Sequence, residues 1–477
     1  MSGARWKRYN SELRMPQPQT DESRMMRSRP IGGPRTPPES VRKTPRFGPN
    51  RLPLVGPAEG SISGSRRSAA SPAFALILWM SACLFACGPY ASLAADRTSH
   101  RDRPPAPPVA QRICPLVITP NQLRPHVEYL ASPALEGRDG PGAILAANSI
   151  AQTLREAGLQ PLFGNDYFQP IPDAIQPDGA APVIGRNVGA IWPGSDPQLK
   201  SEIILLAAHY DHLGMRRGKI HPGADDNASG VSMLLETARY VSQLPARPRR
   251  SIAFVGFDME EELLYGSRWF VAHPPVPLAQ IKLLVTADLI GRSLGDLPLP
   301  MVFLFGSEHV GGLSAQAAGV GIPSGLEVGR LGVDFIGTRS DYGPFRDQRI
   351  PFLFFSTGEH PDYHTSRDTP DRIEYDKLAR ISSLIARLVV QIANSPEAPT
   401  WNSSPEPDLE EARTMERVTE VMLAEEAAGH RKLSTTVRFV AGQTLAKTRY
   451  MRERGVLTAD ERVWLRRSAQ FLLLSAF

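Results

Sequence analysis

From about residue 115 the apolar positions follow two patterns in turn. At 121–130 and 142–157 they recur at helical spacing and predict amphipathic helices, the second closing at Gly158. Short unbroken apolar runs then appear at 203–207, 251–257, 283–287, 301–305 and 351–355. Runs without polar alternation predict strands covered on both faces. Helical patterns at 229–244, 266–272 and 375–393 separate them. Strands alternating with helices predict an α/β fold on a largely parallel sheet. Ligands of such sheets bind beyond the carboxyl ends of the strands, so the residues that follow each run are the place to seek chemistry.

The ends of the chain read differently. Residues 1–65 are rich in Pro, Arg, Ser and Gly with no apolar period, and read as a disordered basic tail. Arg66 and Arg67 precede the apolar run 73–86, which has the length of a signal-peptide core and is short for a membrane span. Residues 66–95 therefore read as a signal peptide, with small residues Ser92, Ala94 and Ala95 ahead of a cut before Asp96. A second reading takes Leu84-Phe85-Ala86-Cys87 as a lipobox, with a lipid on Cys87 as membrane tether. A third is an uncleaved anchor. Each sends the folded part out of the cytoplasm: secreted, periplasmic or envelope-anchored. Residues 96–114 form a Pro-rich linker, 115–398 the main domain, and 399–477 a helical extension with charged amphipathic patterns at 409–427 and 436–454. No catalytic constellation falls in that extension, and no internal repeat is present.

The 477 residues, 42% of them hydrophobic, suffice for a sizeable core. The net charge of +5 belongs to the tail. Residues 1–70 hold 14 of the 54 Lys and Arg and 5 of the 49 Asp and Glu, which leaves the remainder slightly acidic and argues against a nucleic-acid partner. Of Cys83, Cys87 and Cys114, only the last lies beyond the signal segment, so no disulfide framework is needed.

Chemistry gathers after the apolar runs. The first leads into Ala208-His209-Tyr210-Asp211-His212-Leu213-Gly214. A His at a strand end suits a metal ligand, and Asp211 is the candidate carboxylate to fix its tautomer. Gly223-Ala224-Asp225-Asp226-Asn227-Ala228-Ser229-Gly230 is an acidic loop before a helix, which alone would read as a cap. The run 251–257 ends in Asp258-Met259-Glu260-Glu261-Glu262, a crowd of carboxylates that a dication would relieve. The run 283–287 ends in Asp288, and the loop 358–370 supplies His364. Two His and three carboxylates suit paired zinc ions, one carboxylate bridging. His212, His221, His273, His309 and His360 read as surface or packing residues. Asp341, Tyr342 and Tyr363 are candidates for substrate contact.

The segments AHYDHLG, GADDNASGV, EE ahead of GS, ADLIGR and YHTSRDT resemble, in order and spacing, the five signature blocks of the bacterial leucyl aminopeptidase family of zinc exopeptidases. The likeness runs from about residue 118 to 393 and includes YLASPALEGR at 129–138 and RNVGAIWPGSDP at 186–197. It implies a mixed, mostly parallel sheet flanked by helices, of the phosphorylase/hydrolase-like kind. It also implies two zinc ions: Asp226 bridging, His209 and Asp288 completing one site, Glu261 and His364 the other. Glu260 would be the general base, so Glu260 and Asp211 are the candidate catalytic residues. Asp226 is chosen over Asp225 because the bridging residue sits directly before the Asn of Asn-Ala-Ser-Gly. Glu260 is chosen over Glu262 by counting back from Gly266-Ser267. A water between the ions, largely hydroxide, would attack the peptide carbonyl as Glu260 takes its remaining proton, and peptide or protein N-termini would be the substrates.

The chain departs from the family at Leu263, where Gly is usual, at Ala287 in place of Leu, and at Ser340-Asp341-Tyr342, where the family has Ser-Asp-His. The first implies a turn of different shape, the others a difference in specificity. Glutaminyl cyclases, with one zinc, and carboxypeptidases, with two, share the architecture and are the alternative enzymes. A receptor-like relative without activity is the remaining alternative, against which the intact ligand set speaks.

Overall fold

The computed structural model describes residues 114–173 and 181–476. The tail, the signal segment with Cys87, and the linker up to residue 113 lie outside the described residues. The main sheet has nine strands: β1 (Gln160–Pro161), β2 (Phe168–Pro172), β3 (Val183–Trp192), β4 (Ile203–His209), β5 (Ser251–Phe257), β6 (Ile281–Ala287), β7 (Met301–Phe305), β8 (Glu327–Arg330) and β9 (Phe352–Ser356). Their order is β1-β3-β5-β4-β6-β9-β7-β8, with β2 also on β3.

The four central strands, β5-β4-β6-β9, are parallel. Every residue of β4, β5 and β9 is buried, which is why these stretches read as unbroken apolar runs. The flanks turn antiparallel, β3 against β5 and β7 against β9, and β8 lies parallel to β7 at the edge. The sheet is thus mixed, its parallel part concentrated at the centre. Strand β3 escapes the apolar-run pattern because its first half is exposed or half-buried, and β8 because it is short and polar.

Two apolar layers sandwich the sheet, and β4 shows how. Ile204, Leu206 and Ala208 join one core, while Ile203, Leu205 and Ala207 join the other. The first core is built with α1 (Pro120–Leu130), α2 (Pro141–Glu156), α3 (Gly230–Ser242) and α5 (Tyr375–Asn394). The second includes Phe270 of α4 (Tyr265–Ala272) and the C-terminal helices.

Those helices are three, not two: α6 (Leu409–Ala427), α7 (Thr435–Arg454) and α8 (Ala459–Ala476). Helix α6 covers the edge strand β8. Thr414 Oγ1 donates to Arg330 O at 3.1 Å and Arg417 pairs with Glu327, which closes an edge that would otherwise invite pairing. Arg462 of α8 bridges Asp334 and Glu411, each at 2.7 Å. The extension therefore shares its core with β7, β9 and the 333–345 region rather than standing apart. No helix among the described residues is long and apolar enough to cross a membrane.

Glu411 is buried, and Arg462 is its guanidinium partner. Arg462→Ala leaves that carboxylate uncompensated and is expected to lower unfolding free energy by about 2 kcal/mol, read by urea denaturation; Arg462→Lys should recover part of it.

Candidate metal centre

Because β5, β4, β6 and β9 are parallel, their carboxyl ends lie along one edge of the sheet. His209 ends β4, Asp258–Glu262 follow β5, Asp288 follows β6, and the loop carrying His364 follows β9. The irregular turn Ala224–Ser229, between β4 and α3, brings Asp226 to the same place.

There the side chains converge. Asp226 Oδ1 lies 3.2 Å from His209 Nε2, and its Oδ2 lies 3.1 Å from His364 Nε2. His209 Nε2 is also 3.3 Å from Asp288 Oδ1, and His364 Nε2 is 3.4 Å from Glu261 Oε1. Two groups of donors result, His209, Glu260 and Asp288 in one, His212, Asp226 and Glu261 in the other, each with donor atoms within 4.8 Å of one another. All seven residues singled out in the sequence, Asp211 included, are brought together here. Asp225 turns away: its Oδ1 accepts from Gly291 N at 2.6 Å and its Oδ2 faces His360 Nε2 at 3.4 Å. Glu262 is exposed beside a cleft of about 340 Å³, also bordered by His212, Glu261, Arg186 and Arg216.

The charges explain why such a donor set fits divalent metal. Burial pushes the Asp226 carboxyl up, but His212, His209 and His364 hold it well below the usual range. Burial likewise opposes ionisation of Glu261, and its bonds to His212 and His364 bring it down to about 2. Burial would depress the His364 imidazole, yet Asp226 and Glu261 raise it to about 10. Glu260 goes the other way: burial pushes its carboxyl well up, and His209 offsets this only in part. Burial raises the fully buried Asp341 to about 7, offset only in part by His209 and Ser267. Carboxylates thus outnumber imidazoles in a dry site, the condition a bound dication relieves. Borderline nitrogen and hard oxygen donors together suit zinc.

The ligand loops are held from behind. The Asp211 carboxylate accepts from Glu260 N at 3.0 Å and Glu261 N at 3.2 Å, so it aims both glutamates. The nearest partner of His209 Nδ1 is the main-chain oxygen of Asp211, at 3.2 Å, with the carboxylate at 3.6 Å; the expected tautomer contact is made chiefly by the backbone. Asp368 accepts from Asp225 N and Asp226 N. Arg138, fully buried, donates to the carbonyls of Tyr210, Leu130, Pro222, Gly223 and Asp226, which engages its whole guanidinium. Asn187 joins the glutamate loop through Asp258 N and Gly266 O. Lys377 Nζ reaches Arg292 O, Ser293 Oγ and Leu299 O, anchoring the segment after Asp288.

Several expectations change. His212, read as a packing residue, has Nδ1 2.8 Å from Glu261 Oε1 and is part of the cluster. The AHYDH block held this signal, since a second imidazole three residues on can turn back to the same edge. Tyr342 is not available to substrate: it is buried, its ring stacked on Phe352 at 5.1 Å, and its hydroxyl bonded to Gly337 O. Tyr363, half-buried, stacks on His364 at 3.8 Å and so stays beside the site, as expected of a residue near substrate. Leu263, expected to reshape its turn, has φ 64°, a left-handed conformation that glycine adopts without cost.

Residues 187–389 match the family model described as Peptidase family M28. Particular relatives match stretches of similar or greater length. Leupeptin-inactivating enzyme 1 of Streptomyces exfoliatus is 28% identical over 301 residues, 61% of this chain and 58% of its own length. Aminopeptidase YwaD of Bacillus subtilis is 28% identical over 210 residues, 42% of this chain and 43% of its own. A glutaminyl-peptide cyclotransferase of Boiga dendrophila is 26% identical over 230 residues, 40% of this chain and 62% of its own. The chain spans about half the length of the first two. His209, Asp226, Glu260, Glu261, Asp288 and His364 all fall within the M28 segment, whereas Arg138 and the extension 399–477 fall outside it.

Arg138→Lys removes the fork that joins the end of α1, the loop after β4 and the 222–226 segment, and strands several carbonyls; unfolding free energy is expected to drop by about 3 kcal/mol, with a matching loss of bound metal on elemental analysis. Burial lowers Lys377 to about 8, below its ordinary 10.5. The unfolded chain therefore binds this proton more tightly, and the Lys377 contribution makes stability rise with pH between 8 and 10.5. The difference in urea-unfolding free energy between wild type and Lys377→Met should grow across pH 8 to 10 in favour of wild type.

Proposed function

We propose that the chain is a zinc-dependent aminopeptidase that hydrolyses the N-terminal bond of peptides or proteins. Two zinc ions would be held by His209, Asp226 and Asp288 and by Asp226, Glu261 and His364. The observation that carries this reading is Asp226, whose two oxygens face His209 and His364 at 3.2 and 3.1 Å, a single carboxylate turned to two donor groups.

When bound, zinc supplies a Lewis acid for the peptide carbonyl and lowers the pKa of water. The chain's own residues do the rest. Glu260 is half-buried beside His209 and Asp288, with its carboxyl raised, a setting for accepting a proton from water and passing it to the leaving amine. Asp211 positions it by holding its backbone N–H. The acidic excess supports recognition of a free ammonium group. Similarity to a cyclotransferase favours a second reading, cyclisation of N-terminal Gln with release of ammonia. Export, by cleavage before Asp96 or with a lipid on Cys87, is part of the proposal and rests on the apolar run 73–86.

The purified protein should contain about two zinc ions and cleave Leu-p-nitroanilide in a chelator-sensitive way, with kcat about 10³-fold lower in Glu260→Gln. Ammonia release from Gln peptides without hydrolysis of other N-termini would instead favour the cyclase. Failure to bind metal or to act on any unblocked peptide would refute both.

A further inference from the structure

The five-ligand reading leaves His212 without a role, although it is buried at the heart of the site. It sits on the loop that begins at His209, three residues further on. Its Nδ1 lies 2.8 Å from Glu261 Oε1 and 3.7 Å from Asp226 Oδ2. The same two oxygens face His364 Nε2 at 3.4 and 3.1 Å. Two imidazole nitrogens thus converge on one pair of carboxylate oxygens. The two rings stand 5.7 Å apart at 63°, edge to face rather than stacked.

A tetrahedral zinc with bonds of about 2.0–2.1 Å sets its donors about 3.3 Å apart. The four spacings around Asp226 Oδ2 and Glu261 Oε1 scatter about that value. A hydrogen bond from His212 to Glu261 would account for the shortest of them, but it leaves unexplained why the same nitrogen also approaches Asp226. On the other side His209 Nε2 lies 3.2 Å from Asp226 Oδ1 and 3.3 Å from Asp288 Oδ1, and Glu260, in the same donor group, is the base under the reading above, which leaves three protein ligands. Sites closed by four protein ligands hold zinc for structure, whereas sites with three keep a position open for chemistry.

Resting on the two-zinc reading above, we propose that His212 is a fourth protein ligand of the Glu261 site, so that the centre is asymmetric. His212, His364, Asp226 and Glu261 form a closed site that holds its ion tightly. His209, Asp226 and Asp288 form an open one that exchanges its ion and meets substrate.

His212→Asn keeps an N–H near the position of Nδ1 and removes the imidazole, which separates a hydrogen-bond donor from a ligand. The full-length wild type and His212→Asn are loaded with zinc, dialysed against graded chelator and analysed for metal, with apo-protein melting as a check on folding. The wild type is expected to lose one ion readily and retain the other; His212→Asn should release both, the tight ion bound at least about 100-fold more weakly. If His212→Asn retains one ion as the wild type does, His212 is only a donor and the inference fails while the two-zinc reading stands. If the wild type binds no zinc, both fail. Should the variant not fold, X-ray absorption on wild type stripped to one zinc decides the matter: two imidazoles per ion support the asymmetric centre, and one overturns it.

Discussion

Too many carboxylates share one dry edge of the sheet, and the surrounding structure is organised around that fact. Asp211, Asp226, Asp288 and Asp341 are buried there, with Glu260 and Glu261 half-buried beside them. Desolvation raises the cost of every one of these charges. Three imidazoles, several backbone N–H groups and, in the proposed reading, two dications offset it. The balance is uneven by design of the fold: His212, His209 and His364 keep Asp226 and Glu261 ionised, while burial pushes Asp288, Glu260 and Asp341 toward the proton-bearing form. A site of this kind can both hold metal and move a proton.

Holding such a crowd in place requires a rigid frame, and the frame is made of residues that would touch neither metal nor substrate. Arg138 joins the carbonyls around Tyr210 to those around Gly223 and Asp226. Asp368 pins the Asp225–Asp226 turn from the far loop, Asn187 fixes the glutamate loop, and Lys377 the segment after Asp288. Each acts on the backbone, which orients the ligands without competing for their side chains. The C-terminal helices serve the same end at a distance, sealing β8 and completing the second apolar core.

Much of this was legible in the chain itself. Strands buried on both faces must be largely apolar, so the parallel β4, β5, β6 and β9, and β7 beside them, announce themselves as unbroken runs. Helices that bury one face show the helical period, as α1, α2, α5 and α6 do. A parallel arrangement puts strand carboxyl ends together, so His209, the glutamates after β5, and Asp288 could be assembled from their place beside those runs. The choice of Asp226 over Asp225 came from the resemblance, and the geometry separates the two by where each carboxylate points.

Tertiary structure alone decided the rest, because it depends on segments far apart in sequence meeting at atomic distance. The turn of His212 back onto Glu261, the five carbonyls gathered by Arg138 and the burial of Tyr342 between core aromatics leave no periodic trace. Strands β3 and β8 lack an apolar run because they are partly exposed, short or at an edge, and α8 is recognisable only from what it packs against. Local pattern determined which elements form and which end of each carries polar residues. Long-range packing determined which of those residues face one another, and that is what sets the charge balance of the site.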